Sequence, residues 1–182
     1  VHFDNTWNST IATENIHRVT DKLGIDLYTY VVDAKEFDDI VLAFLKSGAR
    51  DIECPTDIGL ATTMNIAAEK FGIRYKIDGH SFRTEGSAPM DWIYMDARYI
   101  QSVHQQYGTV PMKTFPNLWL YRQLKWMLLN NIKSIRPLYW LDYDKEAAKH
   151  LLTEEYGWTW YGGHHLENRA TAFFHSYFIP QR

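Results

Sequence analysis

The sequence predicts an α/β fold: a parallel sheet with helices on both faces, followed by a helical extension. Three observations carry this. Runs of β-branched and aromatic residues recur through the first 80 residues. The stretches between them have apolar residues at helical spacing. Strands joined by helical crossovers pair in parallel, and such sheets are covered on both faces. After about residue 86 the character shifts, with 19 aromatic residues in 91–182 against 9 in 1–90. Residues 1–95 therefore read as an α/β part, and 96–182 as an aromatic-rich helical part packed on it.

Val1 to Asp4 reads as a short strand ending in Asp4-Asn5. Ser9 or Asn8 can cap a helix to about Leu23, with Gly24 as its stop. Leu27 to Val32 (LYTYVV) is a strand by composition. Ala34 to Lys46 places Phe37, Ile40, Val41, Phe44 and Leu45 on one helix face, and Gly48 ends it. Pro55 breaks the chain, and Thr56 is expected to cap a helix to about Phe71. Ile73 to Ile77 is the third strand. The three strands are expected as parallel neighbours in one sheet. Residues 87–95 read as a loop. Helices follow over Ala97–Tyr107, Leu118–Asn130, Asp144–Tyr156 and Glu167–Phe178.

Composition narrows the function. Of 182 residues, 46% are hydrophobic and 23% charged, the balance of a globular chain. The net charge of −3 argues against a protein built to hold nucleic acid. One cysteine, Cys54, excludes an internal disulfide or a multi-Cys zinc site and suits a reducing cytoplasm. No apolar run reaches the ~18 residues of a membrane span. The opening strand-like run without Met reads as the interior of a longer domain.

In an open parallel sheet, ligands bind beyond the carboxyl ends of the strands. Two polar segments occupy such ends: Asp4-Asn5-Thr6-Trp7-Asn8-Ser9, and Asp78-Gly79-His80-Ser81-Phe82-Arg83-Thr84-Glu85-Gly86. Turn amides and helix starts there favour anions, and Arg83 adds a charge-assisted donor. The plainer reading is that these are ordinary strand-to-helix turns, where such residues are common. In Lys133-Ser134-Ile135-Arg136-Pro137, the proline holds Arg136 extended, where it can meet a phosphate or pair with a carboxylate. In Trp158 to Arg169, aromatic residues precede Gly162-Gly163-His164-His165 and Glu167, a set that suits a sugar or nucleotide, or else a tight turn with structural histidines. Adjacent His164 and His165 with no third ligand do not make a metal site. Cys54 reads as a packing residue rather than a nucleophile. Glycine-rich dinucleotide, Walker, nucleophile-elbow and zincin motifs are absent.

The stretch YDKEAAKHLLTEEYGWTWYGGHHLENRATAFFHSYFIP resembles the C-terminal signature of the N-acetyl sugar amidotransferase family. SIRPLYWLDY, KTFPN, DGHSFRTEG and VHFDNTWNS fit that family in the same order, so the resemblance spans nearly the whole chain. IRPL is shared more loosely with other PP-loop ATP pyrophosphatases. The resemblance implies an adenine nucleotide α-hydrolase-like fold. It implies an ATP- and Mg²⁺-dependent enzyme that turns a sugar's acetamido group into an acetamidino group, for lipopolysaccharide O-antigen or flagellin glycans. The amide oxygen attacks the α-phosphate of ATP and releases pyrophosphate, and ammonia from a separate glutaminase subunit then displaces AMP.

By the same resemblance, Asp4 and Asn5 line the adenosine side. Gly79, His80, Ser81, Arg83 and Glu85 lie near phosphate, and Arg136 meets phosphate, with His80, Glu85 and Arg136 as the catalytic set. Gly162, Gly163, His164, His165 and Glu167 face a sugar or nucleotide sugar. The family's phosphate loop, S-G-G-x-D-S, is not in this sequence, so the nucleotide part is expected to be incomplete and the chain as it stands inactive. Neither nucleic acid nor membrane is an expected partner, and self-association stays open. The alternatives are another PP-loop adenylating enzyme such as a tRNA-thiolating type, or a non-catalytic paralogue acting as an interaction module.

Overall fold

The computed structural model describes residues 1–81, 94–163, 166–178 and 180. The fold is mixed α/β with parallel strand pairs. Among the described residues, β1 (His2–Asp4) pairs in parallel with β2 (Thr29–Val31), and β3 (Tyr75–Ile77) with β4 (Lys133–Ile135). The helices are α1 (Thr10–Leu23), α2 (Ala34–Ser47), α3 (Cys54–Lys70), α4 (Ala97–Tyr107), α5 (Leu120–Leu124), α6 (Lys145–Tyr156) and α7 (Arg169–Phe173).

The chain folds into two units. One comprises Val1–Asn5 and Thr29–Leu141, the other Thr6–Tyr28 and Asp142–Arg182. Residues 96–141 thus belong with the strands.

Local chemistry explains most boundaries. Ser9 caps α1 by accepting from the Ala12 N–H at 3.2 Å, and Asp33 caps α2 by accepting from Glu36 N–H at 3.0 Å. Gly24 and Gly48 end these helices in the left-handed region, with φ of 62° and 70°.

Three expectations are corrected. First, the expected single sheet is two pairs. β3 bonds with β4, which is not among the strands expected from the sequence, and not with β1. Helix α3 packs against both β1 and β3. Second, Pro55 does not break the chain. Helix α3 starts at Cys54, and Pro55 sits in its first turn, where a missing N–H costs nothing. Thr56 is inside the helix and does not cap it. Third, the long helix over 118–130 is α5 followed by a π-helical turn, Lys125–Leu129. That wider turn directs Trp126 inward, where its indole N–H donates to Glu69 at 2.7 Å beside Ala68 and Ile132.

The core of the first unit lies where α2 meets α4. Phe37, Ile40, Phe44 and Ile100 are wholly buried. Phe3 of β1 meets Phe37 edge-on at 5.8 Å. Gly59 of α3 faces the Phe3 ring so closely that a Cβ there would lie 2.6 Å from it. A glycine is therefore what lets α3 close onto β1.

Two buried carboxylates of α2 hold the segment after α4. Asp39 accepts from the N–H of Thr109 and Val110 at 2.7 and 2.9 Å, from the Thr109 hydroxyl at 2.7 Å, and lies 3.0 Å from His104 Nε2. Glu36 accepts from the N–H groups of Thr114 and Phe115. Burial alone would raise the Asp39 carboxyl, but the donors from Val110 and Thr109 outweigh it and hold the group well below the usual carboxylate range.

Candidate functional site

In the first unit, the candidate residues gather at the carboxyl ends of the parallel strands. Asp4 closes β1 and the buried Asn5 follows it. Beyond β3, the chain runs through Asp78, Gly79, His80 and Ser81, and beyond β4 it reaches Arg136. The structure brings these last two segments together. The Asp78 N–H donates to Ile135 O at 2.8 Å, extending the β3–β4 ladder by one step. The Asp78 carboxylate then accepts from Arg136 Nε at 3.1 Å and from the His80 N–H at 3.1 Å. Ser81 is fully buried, and its hydroxyl donates to Leu138 O at 3.4 Å.

The electrostatics of this corner are mutual. Desolvation acts to raise the Asp78 carboxyl, but the His80 amide and the Arg136 guanidinium draw it below its ordinary value. Asp78 in turn raises Arg136 above its own. Arg136 also stacks over the Tyr139 ring at 5.6 Å. Both partners are at least a third exposed, so the pair fixes direction more than stability. It leaves a guanidinium with further N–H donors at a strand end, restrained by Pro137. Sequence reasoning named Arg136 but gave Asp78 no role.

The second unit brings together two segments that the sequence reading treated apart. Ser9 N–H donates to Glu167 O at 2.8 Å, and Arg169 N–H to Trp7 O at 2.9 Å. Asn8 and Asn168 form an antiparallel bridge between them. The Arg169 guanidinium also donates to Thr6 O at 3.1 Å. Thr6 holds φ of 66°, a left-handed value costly for a β-branched residue. The turn that follows Asp4-Asn5 is therefore bound edge to edge with the Glu167 segment.

An aromatic cluster precedes that segment. Trp158, Trp160 and Tyr161 touch one another with centroids 5.1 to 5.7 Å apart, and Lys149 Nζ lies 4.1 Å over the Trp160 ring. Helix α1 fixes its start. Asn15, buried, exchanges two 2.8 Å hydrogen bonds with the Thr159 backbone, and Arg18 donates to Gly157 O and to the Thr159 hydroxyl at 2.9 Å. Burial, then the nearby Glu167, push the Tyr161 phenol up. Gly162 takes φ of 96°, and at Gly163 a Cβ would come within 2.8 Å of Leu166. Backbone shape thus favours glycine at 162, while a side chain at 163 would push the Leu166 side chain aside. Asn15 and Arg18 were not predicted. Their signal, a buried Asn among apolar positions of α1, exists only once the tertiary partner is known.

Four expected site residues, Arg83, Glu85, His164 and His165, lie outside the described residues. Cys54 is buried, and desolvation followed by Asp51 and Asp57 pushes its thiol up to about 12, which suits packing and not nucleophilic attack. It borders a cavity of about 530 Å³ walled by Arg50, Asp51, Tyr94 and Tyr99, which none of the candidate residues lines. Among the described residues, no three His, Cys, Asp or Glu side chains gather as a metal-holding group. None of the described helices is long and apolar enough to cross a membrane. Comparison of the chain with protein-family models, with curated proteins and with solved structures finds no match.

Proposed function

We propose that this chain carries part of the active site of an ATP-dependent amidotransferase. The enzyme converts the acetamido group of a sugar or nucleotide sugar to an acetamidino group, for lipopolysaccharide or flagellin glycans, on an adenine nucleotide α-hydrolase-like fold. The observation that carries the reading is the meeting of the Asp78–Ser81 turn with Arg136 beyond the carboxyl ends of β3 and β4, where the Asp78 carboxylate aims the guanidinium. An adenylation that releases pyrophosphate needs such a held cation beside turn amides.

Each group has a part in this reading. Asp4 and Asn5 border the adenosine. Arg136, aimed by Asp78, meets phosphate together with the Gly79-His80-Ser81 turn, and offsets charge where pyrophosphate leaves. Gly162 and Gly163 let the backbone approach the sugar, Glu167 accepts from its hydroxyls, and the Trp158–Tyr161 cluster keeps water out. The fit to ATP is partial. A single guanidinium already paired with a carboxylate is a weak phosphate cradle compared with a loop of backbone amides. The ammonia is expected from a glutaminase subunit and the reaction in the cytoplasm.

Mass spectrometry of a reaction containing the whole protein, ATP, ammonium and an acetamido sugar nucleotide tests this. The expected result is AMP together with a product in which oxygen has been replaced by an imino group. Unchanged sugar and no AMP, across a panel of acetamido sugar nucleotides, would sink the proposal.

A further inference from the structure

We propose that the cavity beside Cys54 is a further ligand site, and that it takes an α-amino acid with an aromatic side chain, held as its zwitterion. The cavity lies within the first unit. It opens where α2 ends at Gly48, α3 begins at Cys54 and α4 follows Asp96. Its volume of about 530 Å³ falls inside the ~300–1,000 Å³ of small-ligand sites.

Two side chains of opposite charge stand next to each other on its wall and do not pair. Arg50 is exposed and, among the described residues, makes no hydrogen bond or ion pair. Asp51 accepts from the Glu53 N–H through Oδ1 at 2.8 Å, which fixes the carboxylate at the start of α3 and leaves Oδ2 open. Its charge is felt on the cavity's inner wall. Burial and then Asp51 push the Cys54 thiol up, and burial, Cys54 and Asp51 push up the Tyr99 phenol. An unpaired cation and anion on consecutive residues, with Cα atoms ~3.8 Å apart, suit a ligand that carries a carboxylate and an ammonium on one carbon. The ligand carboxylate meets Arg50 in a charge-assisted pair, and the ammonium meets Asp51. A ligand with a single charge satisfies only one of the two.

The rest of the lining is aromatic or small. Tyr94 and Tyr99 meet edge to face at 6.1 Å, and Tyr99 is set edge-on against the buried Phe44 at 5.5 Å. The Tyr94 hydroxyl donates to Asp96 Oδ2 at 2.8 Å, so both rings are held before a ligand arrives. Gly48 and Ala49 add little bulk. An aromatic side chain packs against such rings edge to face or offset.

Titration of the chain with three probes near neutral pH, followed through its amide resonances, tests the proposal. The probes are L-phenylalanine, phenethylamine, which lacks the carboxylate, and hydrocinnamate, which lacks the ammonium. L-Phenylalanine is expected to saturate with a Kd at or below ~1 mM, shifting the amides of Gly48–Asp51 and Tyr99. Each analogue should bind ~10-fold more weakly or worse. Arg50→Gln should remove the advantage over phenethylamine and leave that over hydrocinnamate. Asp51→Asn, which keeps an acceptor for the Glu53 N–H, should do the reverse. Arg50 is exposed, so its variant carries the test even if Asp51→Asn fails to fold. No saturation by L-phenylalanine at about 20 mM overturns the proposal. So does equal binding of the analogues, or a discrimination that the folded variants leave unchanged.

Discussion

The first unit buries Phe37, Ile40, Phe44 and Ile100 between α2 and α4, and adds two buried carboxylates that each gather several N–H donors. In the second unit, α6 buries none of its residues, and α7 buries Thr171 alone. That unit is tied by Asn15 and Arg18 to the 157–159 segment, by the Thr6–Ser9 contact with Glu167–Arg169, and by a cluster of rings. One unit rests on a core, the other on polar crosslinks. The lesson is where adaptability lies. Ligand-binding segments are drawn from regions of low local stability, and the residues assigned to the sugar sit in the unit without a deep core.

The largest expected effect falls on the first unit. Asp39→Ala leaves the Thr109 and Val110 amides and the Thr109 hydroxyl without their acceptor. It should cost about 3–5 kcal/mol in urea unfolding. A cost under ~1 kcal/mol would show that the clasp carries little of the unit's stability. The same residue gives a pH signature. Its carboxyl is depressed in the folded state, so the stability it contributes is present above the unfolded value of about 4 and is lost as pH falls through the lower folded value. Asp39→Asn should flatten the fall in stability below about pH 4. An unchanged slope in that variant would assign the acid sensitivity to other carboxylates.

The second unit should respond less. Asn15→Ala breaks both bonds to Thr159 and is expected to cost ~1–3 kcal/mol. The cost should appear as faster amide exchange at 157–161 rather than as a loss of the first unit's transition. Equal loss in both units would make them one cooperative body. A smaller gain is expected at Thr6. Glycine accepts its φ of 66° without strain, so Thr6→Gly should stabilise by ~1 kcal/mol while lowering amidotransferase activity. Stabilisation with full activity would mean that the strained turn is incidental. The smallest stability change is expected for Arg136→Gln, within ~1 kcal/mol because its pair is half exposed, with a large drop in activity. A variant that keeps full activity removes Arg136 from the site.

The legible parts of the fold were those with local causes. Ser9, Gly24 and Gly48 mark helix ends by their own chemistry, and the apolar spacing of α2 matches its buried face at Phe37, Ile40, Val41 and Phe44, but not at Leu45, which is exposed. Strand β4 was missed because Lys133, Ser134 and Ile135 have no strand-like alternation. Their order comes from pairing with β3, distant in sequence. The π-turn was unreadable because it exists to seat Trp126 on Glu69. Glu36 and Asp39 look like the solvated side of an amphipathic helix, and only the partner segment makes them interior. Among the candidate residues, Arg136 stood out because of the proline after it, while the Asp78 that pairs with it lies 58 residues away and could not be assigned to it from spacing.

Hydrogen exchange of the whole protein, read by mass spectrometry with each ligand added separately, addresses the proposed division of the site most directly. An acetamido sugar nucleotide is expected to slow exchange at Tyr161–Gly163 and Leu166–Arg169. ATP should slow it at Asp4–Ser9, Asp78–Ser81 and Arg136–Leu138. Protection by both ligands confined to the cavity beside Cys54, or no protection in any of these segments, would contradict it.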